Sequence, residues 1–175
     1  MIVQDGYAND DALRHVVDYV RKTNKTLGDV GAQGTMLENP SIYMEKIKWD
    51  YYQIDGKNVQ HFILAFSSAD DISSLDPIEL GYEVCALYPE YQFVFGVHHD
   101  TCLLHIHWAM NPVNMLTGKK FNFTHGETFN LRKEIAKLLE PYDIRCNLRT
   151  GDVTDDTRTA VKRDYSRRHR FHKWD

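Results

Sequence analysis

Apolar positions near the start of the chain repeat with the period of an α-helix. Over residues 9–22 they recur at intervals of three and four, at Leu13, Val16, Val17 and Val20. This spacing predicts one helix with a single buried stripe. Tyr19 lies roughly 110° from the centre of that stripe. We therefore expect its side chain at the edge of a buried face, where solvent can reach it.

Two later segments have the pattern of β-strands. Residues 91–98 are rich in aromatic and β-branched side chains, and residues 104–111 alternate regularly between two faces. One face takes Leu104, Ile106, Trp108 and Met110. His105 and His107 fall on the other face. Because a short connection separates the two segments, the sequence predicts a β-hairpin.

Three further elements follow from local signals. Residues 61–67 form an apolar run that predicts a strand, and residues 76–88 predict a helix with Asp76 as its cap. A last helix is predicted over residues 126–140. Its expected buried side chains are Phe129, Ile135, Leu138 and Leu139.

The segment between the first helix and the first of these strands has a weaker pattern. Residues 23–60 favour loop structure at the start, and Asp55 and Gly56 are typical of a hairpin turn. The order of helices and strands predicts an α+β fold. We expect a central antiparallel β-sheet with helices packed on one side of it.

Composition and charge divide the chain into two parts. It has 175 residues and a formal net charge of -4. Seven lysine or arginine residues and two aspartates lie between Arg158 and Asp175, which gives +5 there and leaves -9 for the first 157 residues. We expect one domain over residues 1–145. A basic tail over residues 146–175 is either complete or the start of a further C-terminal region.

Targeting signals are absent from the sequence pattern. No apolar run approaches the 18 or so residues of a membrane span, and the first residues are acidic rather than typical of a signal peptide. The three cysteines lack the CxxC spacing. These features favour a reduced, cytoplasmic protein.

The candidate chemistry lies in one histidine-rich segment. His105 and His107 share a strand face with their Cβ atoms roughly 7 Å apart. His98, at the end of the neighbouring strand, can supply a third imidazole to one metal ion, and Asp100 can accept the outer N–H of a ligand histidine. The alternative is a set of surface histidines on a half-solvated sheet.

This HxDx4HxH motif, followed by NPVNMLTGKKF at residues 111–121, resembles the relaxase/mobilisation nuclease family of conjugative plasmids. The likeness is to the MobP-type conjugative relaxases of the HUH endonuclease superfamily. Residues 13–26 are similar to the family's first motif, an apolar helix with a tyrosine followed by a Lys-Thr pair. The resemblance covers roughly residues 10–140.

The resemblance implies a reaction and a set of roles. Tyr19 would attack one phosphodiester of single-stranded DNA at an origin of transfer and leave a 5′-phosphotyrosyl link and a 3′-hydroxyl. His98, His105 and His107 would hold one divalent ion, Mn²⁺ or Mg²⁺ with Zn²⁺ as a further candidate. Asp100 would orient a histidine or assist proton transfer.

The resemblance also implies partners. Single-stranded DNA at the origin of transfer is the expected substrate, with accessory DNA-binding and coupling proteins beside it in the bacterial cytoplasm. The candidate DNA contacts are Lys22, Asn111, Asn114, Lys119, Lys120, Arg163, Arg167 and Arg168. For Asn111 and Asn114 the alternative is that they hold the turn after the second histidine strand.

Several alternatives stay open on the sequence. An HUH replication initiator or single-tyrosine transposase would place its nucleophile after the histidine motif, at Tyr142 or Tyr165. A non-catalytic DNA-binding accessory protein and a small-molecule metallohydrolase are further classes. Tyr7, Tyr51 and Tyr52 are fallback nucleophiles. His61 is interpreted as a buried structural histidine.

Overall fold

A five-stranded antiparallel sheet forms the centre of the molecule in the computed structural model, which describes residues 2–8 and 11–146. The strands are β1 (Ile2–Tyr7), β2 (Val30–Gln33), β3 (Val59–Ala65), β4 (Phe93–His98) and β5 (His105–Met110). Their order across the sheet is β1-β3-β5-β4-β2, and every neighbouring pair is antiparallel. The predicted α+β fold is confirmed.

Helices occupy the connections between the strands. They are α1 (Ala12–Val20), α2 (Thr23–Thr26), α3 (Pro40–Asp50), α4 (Pro77–Ala86) and α5 (His125–Leu139), the last followed by a 3-10 turn over Glu140–Tyr142. Asp76 caps α4 as predicted, because its carboxylate accepts from the backbone N–H groups of Ile78 and Glu79. Within residues 2–8 and 11–146, no helix is long and apolar enough to cross a membrane.

The predicted hairpin joins β4 and β5 and sets the register of the histidines. His98 lies opposite His105, and Gly96 lies opposite His107. β5 pairs with β3 along its other edge. The predicted alternation is also confirmed, since Ile106, Trp108 and Met110 join the main core while the two histidines face the other way.

The main core lies between one sheet face and helices α4 and α5. Phe62 and Trp108 stack with ring centroids 5.2 Å apart, and the Trp108 indole donates to the carbonyl of Gly81 in α4. Leu131 and Ile135 of α5 complete this layer. Buried aromatic side chains of this size contribute most of the apolar area of such a core.

A second core covers the opposite face of the sheet. The stripe of α1 packs there on Val59, Val94 and Ala109, together with Met44 of α3. The expectation of helices on one side was therefore wrong, because periodicity identifies a buried stripe but not the sheet face that it covers. This second layer places α1 over the histidine face of β5.

Three further expectations need correction. The start of residues 23–60, expected to be a loop, contains α2 and β2, and α3 follows where the sequence predicted no element. The turn at Asp55 and Gly56 joins α3 to β3, so it does not connect two strands of a hairpin. Phe129, which was expected to be buried, is 44% exposed. Leu131 is buried in its place.

Candidate metal centre and nucleophile

His98, His105 and His107 gather on the sheet face that α1 covers. One ring nitrogen from each lies within 4.8 Å of the others. The ring centroids of His98 and His107 are 4.2 Å apart, and those of His105 and His107 are 5.0 Å apart. This closeness follows from the register, because β4 and β5 place His98 directly across from His105.

The outer nitrogens of two of these rings are held by backbone carbonyls. His98 Nε2 lies 2.9 Å from the Val20 carbonyl, and His105 Nδ1 lies 3.0 Å from the Leu103 carbonyl. Because a carbonyl only accepts hydrogen bonds, each of these nitrogens carries the proton. A neutral ring then carries no proton on Nδ1 of His98 or on Nε2 of His105.

Two inner nitrogens are buried without a hydrogen bond. Among the described residues, His98 Nδ1 and His107 Nε2 have no partner. Buried polar atoms of folded proteins almost always have a partner, so such a pair requires an explanation. A divalent cation bound by lone pairs of imidazole nitrogens satisfies both atoms.

Burial keeps the rings of His98 and His107 neutral. Desolvation lowers the pKa of His98 to about 4 and holds the pKa of His107 well below its usual value. Metal binding requires a neutral imidazole, so the ligands need not lose a proton at pH 7. The donor set therefore fits one divalent ion, and three protein ligands leave further coordination positions open.

Tyr19 lies against this histidine cluster. It is the second-last residue of α1, and its ring centroid is 5.3 Å from that of His107 and 5.4 Å from that of His98. Tyr19 is half-buried at the edge of the stripe, while Val20 beside it is fully buried. The C-terminal end of α1 thus brings a phenol to the three imidazoles.

Lys25 links Asp100 to the Tyr19 ring. This lysine of α2 is 2% exposed, it forms an ion pair with Asp100, and its Nζ lies 5.0 Å from the Tyr19 ring centroid. Partial burial raises the pKa of Asp100, but the hydrogen bond and charge of Lys25 outweigh this and lower it. A buried ammonium group therefore lies close to the Tyr19 ring.

Asp100 approaches the cluster from an unexpected side. Its Oδ1 lies 3.8 Å from Nε2 of His105, the inner nitrogen, while the outer nitrogen of that ring faces Leu103. Asp100 is therefore not the partner that holds the outer nitrogen of His98 or of His105. Backbone carbonyls occupy those positions because the ends of α1 and of the hairpin loop pass there.

His61 is a member of this cluster that the motif did not predict. Its Nε2 lies 3.0 Å from Nδ1 of His107, and the two rings stack with centroids 5.2 Å apart. His61 comes from β3, which pairs with β5. Spacing along the chain gives no signal for this contact, because it depends on which strand lies beside β5.

The side chains of the two candidate asparagines are buried and form hydrogen bonds within the protein. The Asn111 amide donates to the Met44 carbonyl and to the Gln92 side chain, and Asn111 is completely buried. The Asn114 side chain donates to Glu90 and accepts from backbone N–H groups of the following turn. These contacts fit the alternative interpretation, in which the two asparagines hold the turn.

The candidate basic contacts lie in different surroundings. Lys22 and Lys119 are exposed, whereas Lys120 is partly buried and donates to the Asp55 carbonyl. The remaining candidates, Arg163, Arg167 and Arg168, lie outside the described residues.

Comparison with known proteins identifies the family of the chain. The family described as relaxase, MobA/VirD2-like, nuclease domain, matches residues 7–144 of the chain. The chain belongs to this relaxase family. The match includes α1 with its tyrosine, the histidine hairpin and α5.

Individual relatives of this relaxase domain are distant. Two curated proteins from Lactococcus lactis subsp. cremoris, one of them from strain MG1363, are both described as group II intron-interrupted relaxase LtrB. Each is 27% identical over 107 residues, which is 58% of this chain and 18% of the relative. The chain thus matches less than a fifth of the length of these relatives. No solved structure matches it.

Proposed function

We propose that this relaxase domain nicks and rejoins one strand of DNA at an origin of transfer, with Tyr19 as the nucleophile. The observation that carries the proposal is the contact of the Tyr19 ring with His98 and His107, whose inner nitrogens are buried and have no hydrogen-bond partner among the described residues. A phenol beside a potential metal centre is the arrangement that a phosphodiester transesterification needs.

The surroundings of Tyr19 favour its activation. A free phenol has a pKa near 10, so forming the phenolate at pH 7 costs roughly 4 kcal/mol. The Lys25 ammonium group, 5.0 Å from the ring centroid, would offset part of this cost by balancing negative charge on Tyr19. The ion held by His98, His105 and His107 would supply positive charge to the scissile phosphate.

The proposed reaction exchanges one ester bond for another. The Tyr19 oxygen forms a bond to phosphorus, and the bond from phosphorus to the 3′-oxygen breaks. The phenolic proton is released, and the departing 3′-oxygen takes up a proton, a transfer in which Asp100 would assist. Because the phosphotyrosyl ester keeps the bond energy, attack by a 3′-hydroxyl reseals the strand.

The donor set bears on the choice of metal. Three imidazoles suit Zn²⁺ best, Mn²⁺ binds nitrogen ligands less tightly than Zn²⁺, and Mg²⁺ prefers oxygen ligands and water. We therefore place Mn²⁺ or Zn²⁺ before Mg²⁺. Accessory DNA-binding and coupling proteins, and a cytoplasmic site of action, remain part of the proposal.

Alternative nucleophiles have other roles in the described structure. The Tyr51 hydroxyl donates to the Met115 carbonyl 2.9 Å away. Tyr142 packs on the main core, which lies on the sheet face away from the histidines. Tyr52 is 88% exposed, and Tyr7 packs beside the second core. Tyr165, the candidate of an initiator or transposase, lies outside the described residues.

Metal-dependent cleavage of single-stranded DNA tests the proposal. The substrate is DNA that flanks the protein's own coding region, and each of its two strands is tested separately. The full chain is incubated with one strand in the presence of either Mn²⁺ or EDTA. We expect one strand to be cut at one position only when metal is present. His98→Ala should abolish cutting, whereas His99→Ala should not, because the neighbouring His99 side chain pairs with Asp29 at the surface.

Other outcomes would assign the chain to other classes. Metal binding without cleavage of either strand would favour a DNA-binding accessory protein. Tight zinc binding with no salt-dependent affinity for DNA would favour a small-molecule metallohydrolase, because phosphate contacts weaken steeply as salt rises. Either result would contradict the proposed nicking activity.

A further inference from the structure

His61 is a buried polar residue that the proposed reaction does not use. It lies in β3 with its side chain on the histidine face, and it is 4% exposed. The neighbouring residue in sequence, Gln60, pairs with Met110, a member of the main core on the opposite face. His61 is therefore separated from solvent on a strand that offers no ligand to the metal centre.

One proton lies between His61 and His107. Their facing atoms, Nε2 of His61 and Nδ1 of His107, are 3.0 Å apart, which is a hydrogen-bond distance. A neutral imidazole carries a proton on one nitrogen and a lone pair on the other. The bond therefore has two arrangements, which differ in the ring that donates.

The two arrangements have opposite consequences for His107. When His107 donates from Nδ1, its Nε2 is bare and faces the cluster as a ligand. When His61 donates instead, the His107 proton moves to Nε2, where it points at the cluster and blocks coordination. Because Nε2 of His107 has no other hydrogen-bond partner among the described residues, His61 decides between these states.

We propose that His61 is a positioning residue that accepts the His107 Nδ1 proton and thereby fixes His107 as a metal ligand through Nε2. The other two rings show the same construction, because the Val20 and Leu103 carbonyls accept from the outer nitrogens of His98 and His105. For His107, the partner of the outer nitrogen is the His61 imidazole rather than a backbone carbonyl. Such outer partners fix the tautomer and orientation of ligand histidines.

The inference rests on the metal centre of the proposed function, so its test measures metal and tautomer rather than cleavage. Mn²⁺ alone is titrated into the full chain by calorimetry. His61→Met removes the acceptor but keeps an apolar side chain of similar length, whereas His61→Gln keeps an acceptor oxygen near the position of Nε2. Gln60→Met is the matched control, a buried polar residue of the same strand on the other face.

We expect His61→Met to weaken Mn²⁺ binding tenfold to a hundredfold. His61→Gln should stay within a few-fold of the wild type, and Gln60→Met should not change the affinity. Thermal unfolding without metal checks that each variant is folded. Wild-type affinity in His61→Met, or an equal loss in His61→Gln, would overturn the proposal.

A second readout needs neither metal nor DNA. Long-range ¹H–¹⁵N correlation spectra of the metal-free protein report which nitrogen of each histidine carries the proton. We expect His107 to be protonated on Nδ1 in the wild type and partly on Nε2 in His61→Met. A proton on Nε2 in the wild type would overturn the inference alone. Absence of Mn²⁺ and Zn²⁺ binding by the wild type would contradict the metal centre itself.

Discussion

Lys48 is a buried cation on α3, and its ammonium group donates to the Asn58 carbonyl. Burial, followed by repulsion from Lys120, lowers its pKa from 10.5 to about 8. Between these two values the unfolded chain binds more protons than the folded one, so stability rises with pH. Below pH 8 both states are protonated, and the buried charge costs on the order of 3 kcal/mol.

Replacing Lys48 by methionine tests this assignment. We expect Lys48→Met to raise the free energy of unfolding at pH 7 by about 1–2 kcal/mol, since the lost hydrogen bond to Asn58 offsets part of the gain. The advantage over the wild type should shrink between pH 8 and pH 10.5. Urea unfolding at several pH values measures it, with Lys46→Met as an exposed control on the same helix. A pH-independent difference would contradict the assignment.

At the scale of elements, α1 approaches the sheet where β4 has a glycine. A Cβ atom on Gly96 would lie 2.1 Å from the Val20 carbonyl oxygen and 3.0 Å from a methyl group of Thr26. The first obstacle is backbone, which a rotamer change cannot move. The same carbonyl accepts from His98, so this contact connects the end of α1 to a candidate ligand ring.

Gly96→Ala should therefore displace the end of α1. We expect a loss of about 1–3 kcal/mol in the free energy of unfolding, as in other overpacked sites, together with weaker Mn²⁺ binding. Gly126→Ala is the control, because the nearest atom to its added Cβ is 3.8 Å away, in an exposed first turn of α5. It should leave stability unchanged or raise it by up to about 1 kcal/mol. Equal effects of both variants would contradict the packing argument.

Elements with a strong pattern could be predicted from the sequence, and α3 could not. The stripe of α1 coincides with its buried face, and the alternation of β5 separates its main-core face from its histidine face, although both faces of that strand are buried. On α3, however, the buried side chains include Lys48, while Ile42 and Trp49 are exposed, so the pattern gave no helical signal. In β2 a glycine faces the Phe95 ring, where a Cβ would lie 2.3 Å from ring atoms, and such a short strand lacks alternation.

The candidate site could also be predicted only in part from the sequence. The motif spacing named the three histidines that the structure brings together, because a hairpin fixes its own register. It could not name His61, since the contact depends on the position of β3 beside β5. It also placed Asp100 at an outer nitrogen, whereas the Lys25 ion pair holds it beside the inner nitrogen of His105.

At the scale of the whole molecule, charge is unevenly distributed along the chain. The last eighteen residues carry +5 and the rest -9. Deletion of residues 158–175 should weaken binding of single-stranded DNA and flatten the dependence of log affinity on log salt, because each phosphate that a protein neutralises adds about 0.7 to that slope. Mn²⁺ affinity should not change. Fluorescence anisotropy in a salt series measures this, and an unchanged slope would contradict a role of the tail in DNA binding.

The central claim is that Tyr19 is the nucleophile beside a three-histidine metal centre. The most direct measurement traps the covalent adduct between the full chain and the nicked strand. Mass spectrometry then identifies the peptide that carries the nucleotide. We predict that the wild type and Tyr52→Phe form the adduct on the peptide with Tyr19, and that Tyr19→Phe forms none. An adduct that persists in Tyr19→Phe, or that maps to another tyrosine such as Tyr165, would contradict this account.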